Sequence, residues 1–216
     1  LFSKALQPLY PYLSSLKDKQ HIAFLVKDLT SKIFLLVLPI CAMLIITCKD
    51  IVTLWLKVDV TNYSIFIVGL VVPYLIFTPL TQPIYTYLLA KGYPSKTIIF
   101  QLSSVIINIT SFYLLYLFIG MYSVIISNIL SYFSGFILGL FYQSKFLNIK
   151  YIFNVTFLLK IICIFTIFAI FSLVSTFLNV TLIRIIFSLV MILFSTLLLY
   201  RKLKILSLED LKNYWK

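Results

Sequence analysis

The chain has 216 residues, of which 62% are hydrophobic and 11% charged, and its formal net charge is +12. A soluble domain has roughly 45–50% apolar and about 25% charged residues, so the composition excludes that class. The basic excess does not indicate nucleic-acid binding, because such proteins gather cations on a polar folded face, whereas here the cations separate long uncharged runs.

The uncharged runs predict six transmembrane helices, because about 18 or more apolar residues are enough to cross the hydrocarbon core. The fold class predicted is therefore all-α, a polytopic membrane helix bundle. One uncharged run, 97–144, is too long for a single crossing, and Gly120 divides it. In chain order the predicted spans are 33–48, 65–90, 97–119, 123–142, 158–178 and 182–200.

The segments around these spans complete the predicted organisation. Residues 1–28 are predicted to be the end of a preceding helix plus a cytoplasmic loop, and 29–142 a four-helix core. Residues 143–204 are predicted to hold two further transmembrane helices, and 205–216 to form a cytoplasmic or interfacial tail. The chain begins with Leu1 and not with Met, which together with the helix-like start predicts a piece of a longer protein.

The distribution of lysines predicts how the chain crosses the membrane. Short cytoplasmic loops accumulate Lys and Arg, and the basic segments before the first span, at 91–96, at 145–150 and in the tail all fall on one side if the spans alternate. The loops on the other side hold Lys49, Lys57 and Arg184, and Asp50 and Asp59 offset the first two. Both ends of the chain are therefore predicted to be cytoplasmic.

Polar side chains form one row on the second span and one on the third. The rows are Tyr74, Thr78, Gln82 and Tyr85, and Gln101, Ser104, Asn108 and Ser111. Residues spaced three or four apart share one face of a helix, and polar groups are costly in lipid. Both rows are therefore expected to face either a wet cavity that accepts a polar ligand or hydrogen-bonding partners on another helix.

The second span also contains Pro73, Pro79 and Pro83. Each proline removes a backbone donor. A proline-interrupted span is a pointer to the moving or binding element of a transporter, and a fixed kink is the alternative.

Small residues recur every four positions on the fourth span: Ser123, Ser127, Ser131, Gly135 and Gly139. In membranes, small residues let helix backbones approach closely. This small-residue ridge predicts helix packing, either static or as a sliding seam between moving helices.

Features of catalysis are not found in the sequence. The cysteines Cys41, Cys48 and Cys163 lack the spacing of a metal site or a disulfide framework. No nucleophile–base pair or phosphate-binding loop is present, so we expect neither an enzyme nor a cofactor or metal. Lys160, near the start of the fifth span, either contacts an anionic substrate or extends to the interface.

Three stretches of the chain combine several short motifs in a fixed order. They are "PLYPYLSSLKDK", "LVLPICAMLIITCKDIVTLWL" and "PIYTYLLAKGYPSKTIIFQLSSVIINITSFYLLYLFIGMYSVIISNILSY". The motifs are the Pro-x-x-Ser helix end at Pro11, the "KDI" and "LWL" segments, the small-Lys-Gly turn before Tyr93, Asn108, and the turn at Gly120. In these features the chain resembles the C-terminal half of a polysaccharide (O-antigen) flippase of the multidrug/oligosaccharidyl-lipid/polysaccharide flippase superfamily. The chain departs from the family where relatives often have "YGxxGAA" and it has "IGMYSVI".

The resemblance implies one lobe of a two-lobed transporter of the inner (plasma) membrane, with an N-terminal lobe of the same protein as the other wall. Such a protein flips a polyprenyl-diphosphate-linked oligosaccharide to the outer leaflet by alternating access, for O-antigen, capsule or exopolysaccharide synthesis. Membrane lipids and the lipid-linked oligosaccharide would be its partners. The candidates for the substrate path are Gln82, Gln101, Ser104, Asn108 and Lys160. The alternatives are a multidrug exporter of the same superfamily and a membrane-embedded polysaccharide-assembly protein or polymerase.

Overall fold

The computed structural model describes residues 9–56, 61–149 and 181–202, together with positions 159, 161–162, 166–167 and 170. Within these residues the regular secondary structure is entirely helical, so the predicted all-α class is confirmed. The helices are α1 Leu9–Ser15, α2 Lys19–Leu56, α3 Thr61–Ala90, α4 Pro94–Ile119, α5 Ser123–Leu147 and α6 Thr181–Lys202. A short 3-10 turn at Gly120–Tyr122 separates α4 from α5.

Three helical stretches of the described chain are long and apolar enough to span a membrane. They are Lys19–Leu56, Asn62–Ala90 and Pro94–Leu147, and the last includes α4, the turn and α5. A hydrocarbon core about 30 Å thick needs about 20 residues of helix. Stretches of this length and composition are typical of a membrane-embedded multi-pass protein.

The helix α2 is much longer than the sequence predicted. It runs over 38 residues, so residues 19–28, which were predicted to belong to a loop, are helical, and the helix continues past residue 48, where the predicted span ends. Lys49 and Asp50 lie inside the helix and not in a loop. Charged side chains end the part of a helix that lies in lipid, but they do not end the helix itself. At its start the Asp18 carboxylate accepts a hydrogen bond from the Gln20 N–H at 2.9 Å, as N-cap residues do.

The helix α3 continues through Pro73, Pro79 and Pro83 without a break in its helical assignment. All three prolines are buried. The expectation that they interrupt the span is therefore not met, although each still removes one backbone donor.

The predicted division at Gly120 is found in the structure. The helix α4 ends at Ile119 and α5 begins at Ser123. Gly120 has a φ of 55°, and its N–H donates to the Tyr116 carbonyl. Glycine adopts this left-handed conformation without the penalty that a Cβ brings. At 26 and 25 residues, the two helices are each about 38 Å long, enough to cross a bilayer core.

Contacts within the chain divide it into two units, and the division passes through α2 and α3. Unit 1 comprises Leu1–Phe34 and Gly69–Ile152, and unit 2 comprises Leu35–Val68 and Phe153–Lys216. The core of unit 1 contains fully buried aliphatic side chains of α1, α2 and α3, namely Leu13, Val26, Ile84 and Leu88, packed with Tyr87, Phe100 and Tyr142.

The lysine-bearing segments of unit 1 meet at one end. The Lys91 ammonium donates to the Leu16 carbonyl at 2.6 Å, which joins the turn after α3 to the end of α1. The rings of Tyr93 and Phe146 are 5.0 Å apart, which joins the same turn to the end of α5. We call this region, with Lys17, Lys19, Lys91, Lys96 and Lys145, the lysine end of unit 1. Which side of the membrane it faces stays a prediction.

Candidate functional site

The candidate site of unit 1 lies where α3, α4 and α5 come together. The helices α4 and α5 form an antiparallel hairpin, and the Ser131 hydroxyl donates to the Ser104 carbonyl across it at 2.9 Å. All members of the small-residue ridge on α5 are buried. A Cβ added to Gly135 would lie 3.3 Å from the Phe100 ring, so the close approach of the two helices depends on the missing side chain.

Aromatic rings join α3 to the other side of α5. The Tyr74 and Tyr132 rings are 5.8 Å apart in an edge-on arrangement, and Phe77 lies 6.0 Å from Phe133 and 5.9 Å from Phe136. Offset and edge-on ring pairs at such distances are favourable beyond the area they bury. These ring contacts pack α3 against α5, and beside them lies a groove that is lined by side chains of α3, α4 and α5.

The groove is a cavity of about 610 Å³, within the range of small-molecule sites. Its walls combine aromatic rings with amides and hydroxyls, and none of the side chains that line it is charged. The lining residues are Phe77, Thr78, Thr81, Gln82, Tyr85, Phe100, Gln101, Ser104, Val105, Tyr132 and Gly135.

Hydrogen bonds inside the groove leave part of its polar surface available. The Gln101 side-chain amide donates to the Tyr85 hydroxyl at 2.9 Å, so the two predicted polar rows meet. The Thr81 and Ser104 hydroxyls donate to carbonyls of their own helices at 3.1 Å. The half-buried Gln82 amide has no partner for its side chain among the residues that the structure describes. An amide offers two donors and an acceptor with two lone pairs, so Gln82 and the Gln101 oxygen face the cavity with unused capacity.

The predicted substrate-path residues fall into three groups. Gln82, Gln101 and Ser104 line the same groove. Asn108 lies on α4 beyond Ser104, is half-buried, and is not part of the lining. Lys160 lies outside the described residues. The sequence left open whether the rows face a cavity or hydrogen-bond to partners on another helix. In the structure part of each row lines the groove, and one hydrogen bond, from Gln101 to Tyr85, joins the rows.

Sequence reasoning did not find the aromatic part of the groove. Phe77, Phe100 and Tyr132 line it, but in a sequence rich in aromatic residues their spacing resembles that of lipid-facing side chains. A usable signal was that Tyr132 lies three residues before Gly135 of the small-residue ridge, a spacing that places the two on one face of α5.

Sequence reasoning also missed an ion pair in unit 2. The Arg184 guanidinium near the start of α6 makes two hydrogen bonds to the Asp50 carboxylate, Nε to Oδ2 at 2.7 Å and a shorter one from Nη2 to Oδ1. Asp50 is buried and Arg184 half-buried. The bidentate geometry is the strong form of an arginine–carboxylate pair. The sequence did contain a signal for this ion pair, because the predicted topology places Asp50 and Arg184 on the same side of the membrane and their charges are opposite.

One buried glutamine of unit 1 stands apart from the groove. The Gln143 side chain near the end of α5 is 1% exposed, and neither its amide nitrogen nor its oxygen has a hydrogen-bond partner within the described part of the chain. Burying an amide without a partner costs stability. Gln143 therefore provides a natural contrast with Gln82 and Gln101, which face a cavity.

Fold and site together define an all-helical membrane protein with an uncharged, partly aromatic groove between its apolar helices. Compared with known proteins, the chain matches no family model, no curated protein and no solved structure.

Proposed function

We propose that this chain forms one wall of a flippase that moves a polyprenyl-diphosphate-linked oligosaccharide from the cytoplasmic to the outer leaflet. It is an expectation of this proposal that the chain crosses the membrane six times as one lobe of a larger transporter. The observation that carries the proposal is the groove of unit 1, in which Gln82, Gln101 and Ser104 lie together with aromatic rings.

The chemistry of the groove suits a sugar. Sugars present hydroxyls around a ring whose faces carry C–H groups, so amides that both donate and accept hydrogen bonds match the edge, and aromatic rings match the face. A few polar groups in a mostly apolar pocket fix the orientation of a ligand. The groove therefore offers recognition without ion pairing.

The same chemistry argues against a cationic drug as the transported substrate. A carboxylate in the pocket would attract a cation, and none of the lining residues is acidic. An open cavity inside the membrane also costs less free energy when its walls are uncharged, because neutral polar groups are less costly there than charged ones. These points support the flippase proposal over the multidrug exporter.

The test replaces single glutamines by leucine in the complete protein and measures export of surface polysaccharide in a flippase-deficient bacterial strain. We expect Gln82→Leu and Gln101→Leu to lower export about tenfold while the protein level stays normal, because leucine suits the membrane but not a sugar hydroxyl. Accumulated lipid-linked intermediate is measured alongside.

The matched control is Gln143→Leu, which makes the same chemical change at a buried site outside the groove. We expect this variant to export normally. Asn108→Leu, outside the lining, should have a smaller effect than the two groove variants. Full export by both groove variants, or an equal loss in Gln143→Leu, would remove the groove from the transport path.

A further inference from the structure

We propose that the lysine end of unit 1 binds the headgroup phosphate of an anionic phospholipid of the bilayer. This inference does not depend on the proposed function. It rests on the way in which segments far apart in the sequence bring their lysines to one end of the unit.

Two contacts bring these segments together. The bond from the Lys91 ammonium to the Leu16 carbonyl, 2.6 Å long, places Lys91 beside Lys17, the next residue in the chain. The Tyr93 and Phe146 rings, 5.0 Å apart, place the same turn beside Lys145. The Leu16 carbonyl is a neutral partner and brings no negative charge to this end, and the Lys91 ammonium has further donors to offer.

Little negative charge opposes these lysines. Among the described residues of this end, Asp18 is the one carboxylate, and it accepts the N–H of Gln20 at the start of α2. Asp28 lies further along α2 and pairs with Lys32 at 2.9 Å. The lysine end therefore carries a local excess of positive charge.

The surroundings of this end fit a lipid more closely than a soluble anion. Lys17, Lys19 and Lys145 are exposed, and Tyr93 is 41% exposed at the same level, as tyrosines are at membrane interfaces. Just beyond Lys96 on α4, the side chains of Ile98 and Ile99 are 55% and 45% exposed. An anionic headgroup among the lysines would thus have an apolar surface directly below it for its acyl chains.

The opposite end of the α4–α5 hairpin lacks this charge. The turn at Gly120–Tyr122 and the described chain on either side of it, from 97 to 144, contain no charged residue. Clustered lysines at a membrane surface attract anionic lipids with about 1 kcal/mol each. Within the hairpin of unit 1 the attraction therefore acts at the lysine end and not at the turn at Gly120–Tyr122.

The experiment places the full 216-residue chain in nanodiscs of phosphatidylcholine with increasing phosphatidylglycerol. Native mass spectrometry then counts the phosphatidylglycerol molecules retained on the protein. For Lys96→Gln and for Lys145→Gln we expect half-maximal retention to need about fivefold more phosphatidylglycerol, which corresponds to about 1 kcal/mol per lysine. Lys96→Arg keeps the charge and should retain the lipid like the original chain.

The matched control is Lys49→Gln, which removes the same charge from an exposed lysine of unit 2. We expect it to change retention less than twofold. An equal effect at Lys49 would show that only net charge matters and would overturn the proposal. Equal retention of phosphatidylcholine and phosphatidylglycerol would overturn the proposal too. Displacement of phosphatidylglycerol by millimolar inorganic phosphate would also overturn it, because it would reveal a site for a soluble anion.

Discussion

Units 1 and 2 accommodate polar side chains among apolar helices in different ways. In unit 2 the charges of Asp50 and Arg184 close on each other through two hydrogen bonds. In unit 1 the amides of Gln82 and Gln101 face a cavity, and only one of them is bonded to a neighbouring side chain. Paired charges use up their bonding capacity in holding helices together, whereas amides on a cavity wall keep theirs for a ligand. A polar residue thus points to a ligand when it lines a cavity and keeps unused bonding capacity, as Gln82 does, whereas the buried Gln143 lies outside the groove.

The largest expected effect comes from breaking the ion pair of unit 2. Arg184→Gln leaves the Asp50 carboxylate buried without its partner, and changes of this kind destabilise by about 3–5 kcal/mol. Asp50→Asn leaves the half-buried Arg184 unpaired and should cost less. The loss should appear as a lower unfolding midpoint in detergent and lower abundance in the membrane. Lys49→Gln, one position away and exposed, should leave both unchanged.

The double variant Asp50→Leu/Arg184→Leu sharpens this test. Removing both charges also removes the cost of burying them, so replacing a buried pair by apolar residues is often neutral. We expect the double variant to be more stable than either single variant. If its destabilisation instead equals the sum of the two single effects, the residues do not act as a pair.

The second predicted effect concerns two glycines of unit 1 that lie against a neighbouring helix. A Cβ added to Gly69 on α3 would lie 2.7 Å from the Ile125 Cγ2 atom, whereas one added to Gly139 would meet ordinary contacts from 3.4 Å. Overpacking of this kind costs about 1–3 kcal/mol, so Gly69→Ala should lower the unfolding midpoint and Gly139→Ala should barely change it.

Ile125→Ala tests the cause of the Gly69 effect. Its smaller side chain makes room for the added methyl group, so the double variant Gly69→Ala/Ile125→Ala should lose less stability than the two changes summed. Additive losses would mean that the methyl group meets no resistance from Ile125.

The third predicted effect is a gain in stability and not a loss. The buried Gln143 amide has no hydrogen bond to any residue that the structure describes, and leucine fills a similar volume without the polar atoms. Removing an unsatisfied buried polar group recovers part of its desolvation penalty of about 1–3 kcal/mol. Gln143→Leu should raise the unfolding midpoint, in contrast to Gln101→Leu in the groove, and a fall would mean that Gln143 is hydrogen-bonded in the membrane.

Some of these features could be predicted from the sequence and others could not. The hairpin of α4 and α5 was predictable because one uncharged run was too long for a single crossing and Gly120 lay at the right place. The extent of α2 was not, because Lys27, Lys32 and Lys49 mark where lipid ends and not where the helix ends. The rows through Gln82 and Gln101 were visible from helical spacing. Their meeting in one groove depends on the tertiary packing of α3, α4 and α5, which no local pattern encodes.

The smallest expected effect concerns the single bond that joins the two polar rows. Tyr85→Phe removes the hydroxyl that accepts the Gln101 amide at 2.9 Å but keeps the ring. Interhelical hydrogen bonds in membranes contribute about 0.6 kcal/mol on average, so the unfolding midpoint should fall only slightly. Freed from Tyr85, the Gln101 side chain loses its fixed orientation in the groove, and we expect export of polysaccharide to fall more than stability does. In a double-mutant cycle with Gln101→Leu, the stability losses should be less than additive, because both changes delete the same bond. Fully additive losses would show that the two side chains do not interact in the bilayer, and the rows would then have to be treated as separate surfaces.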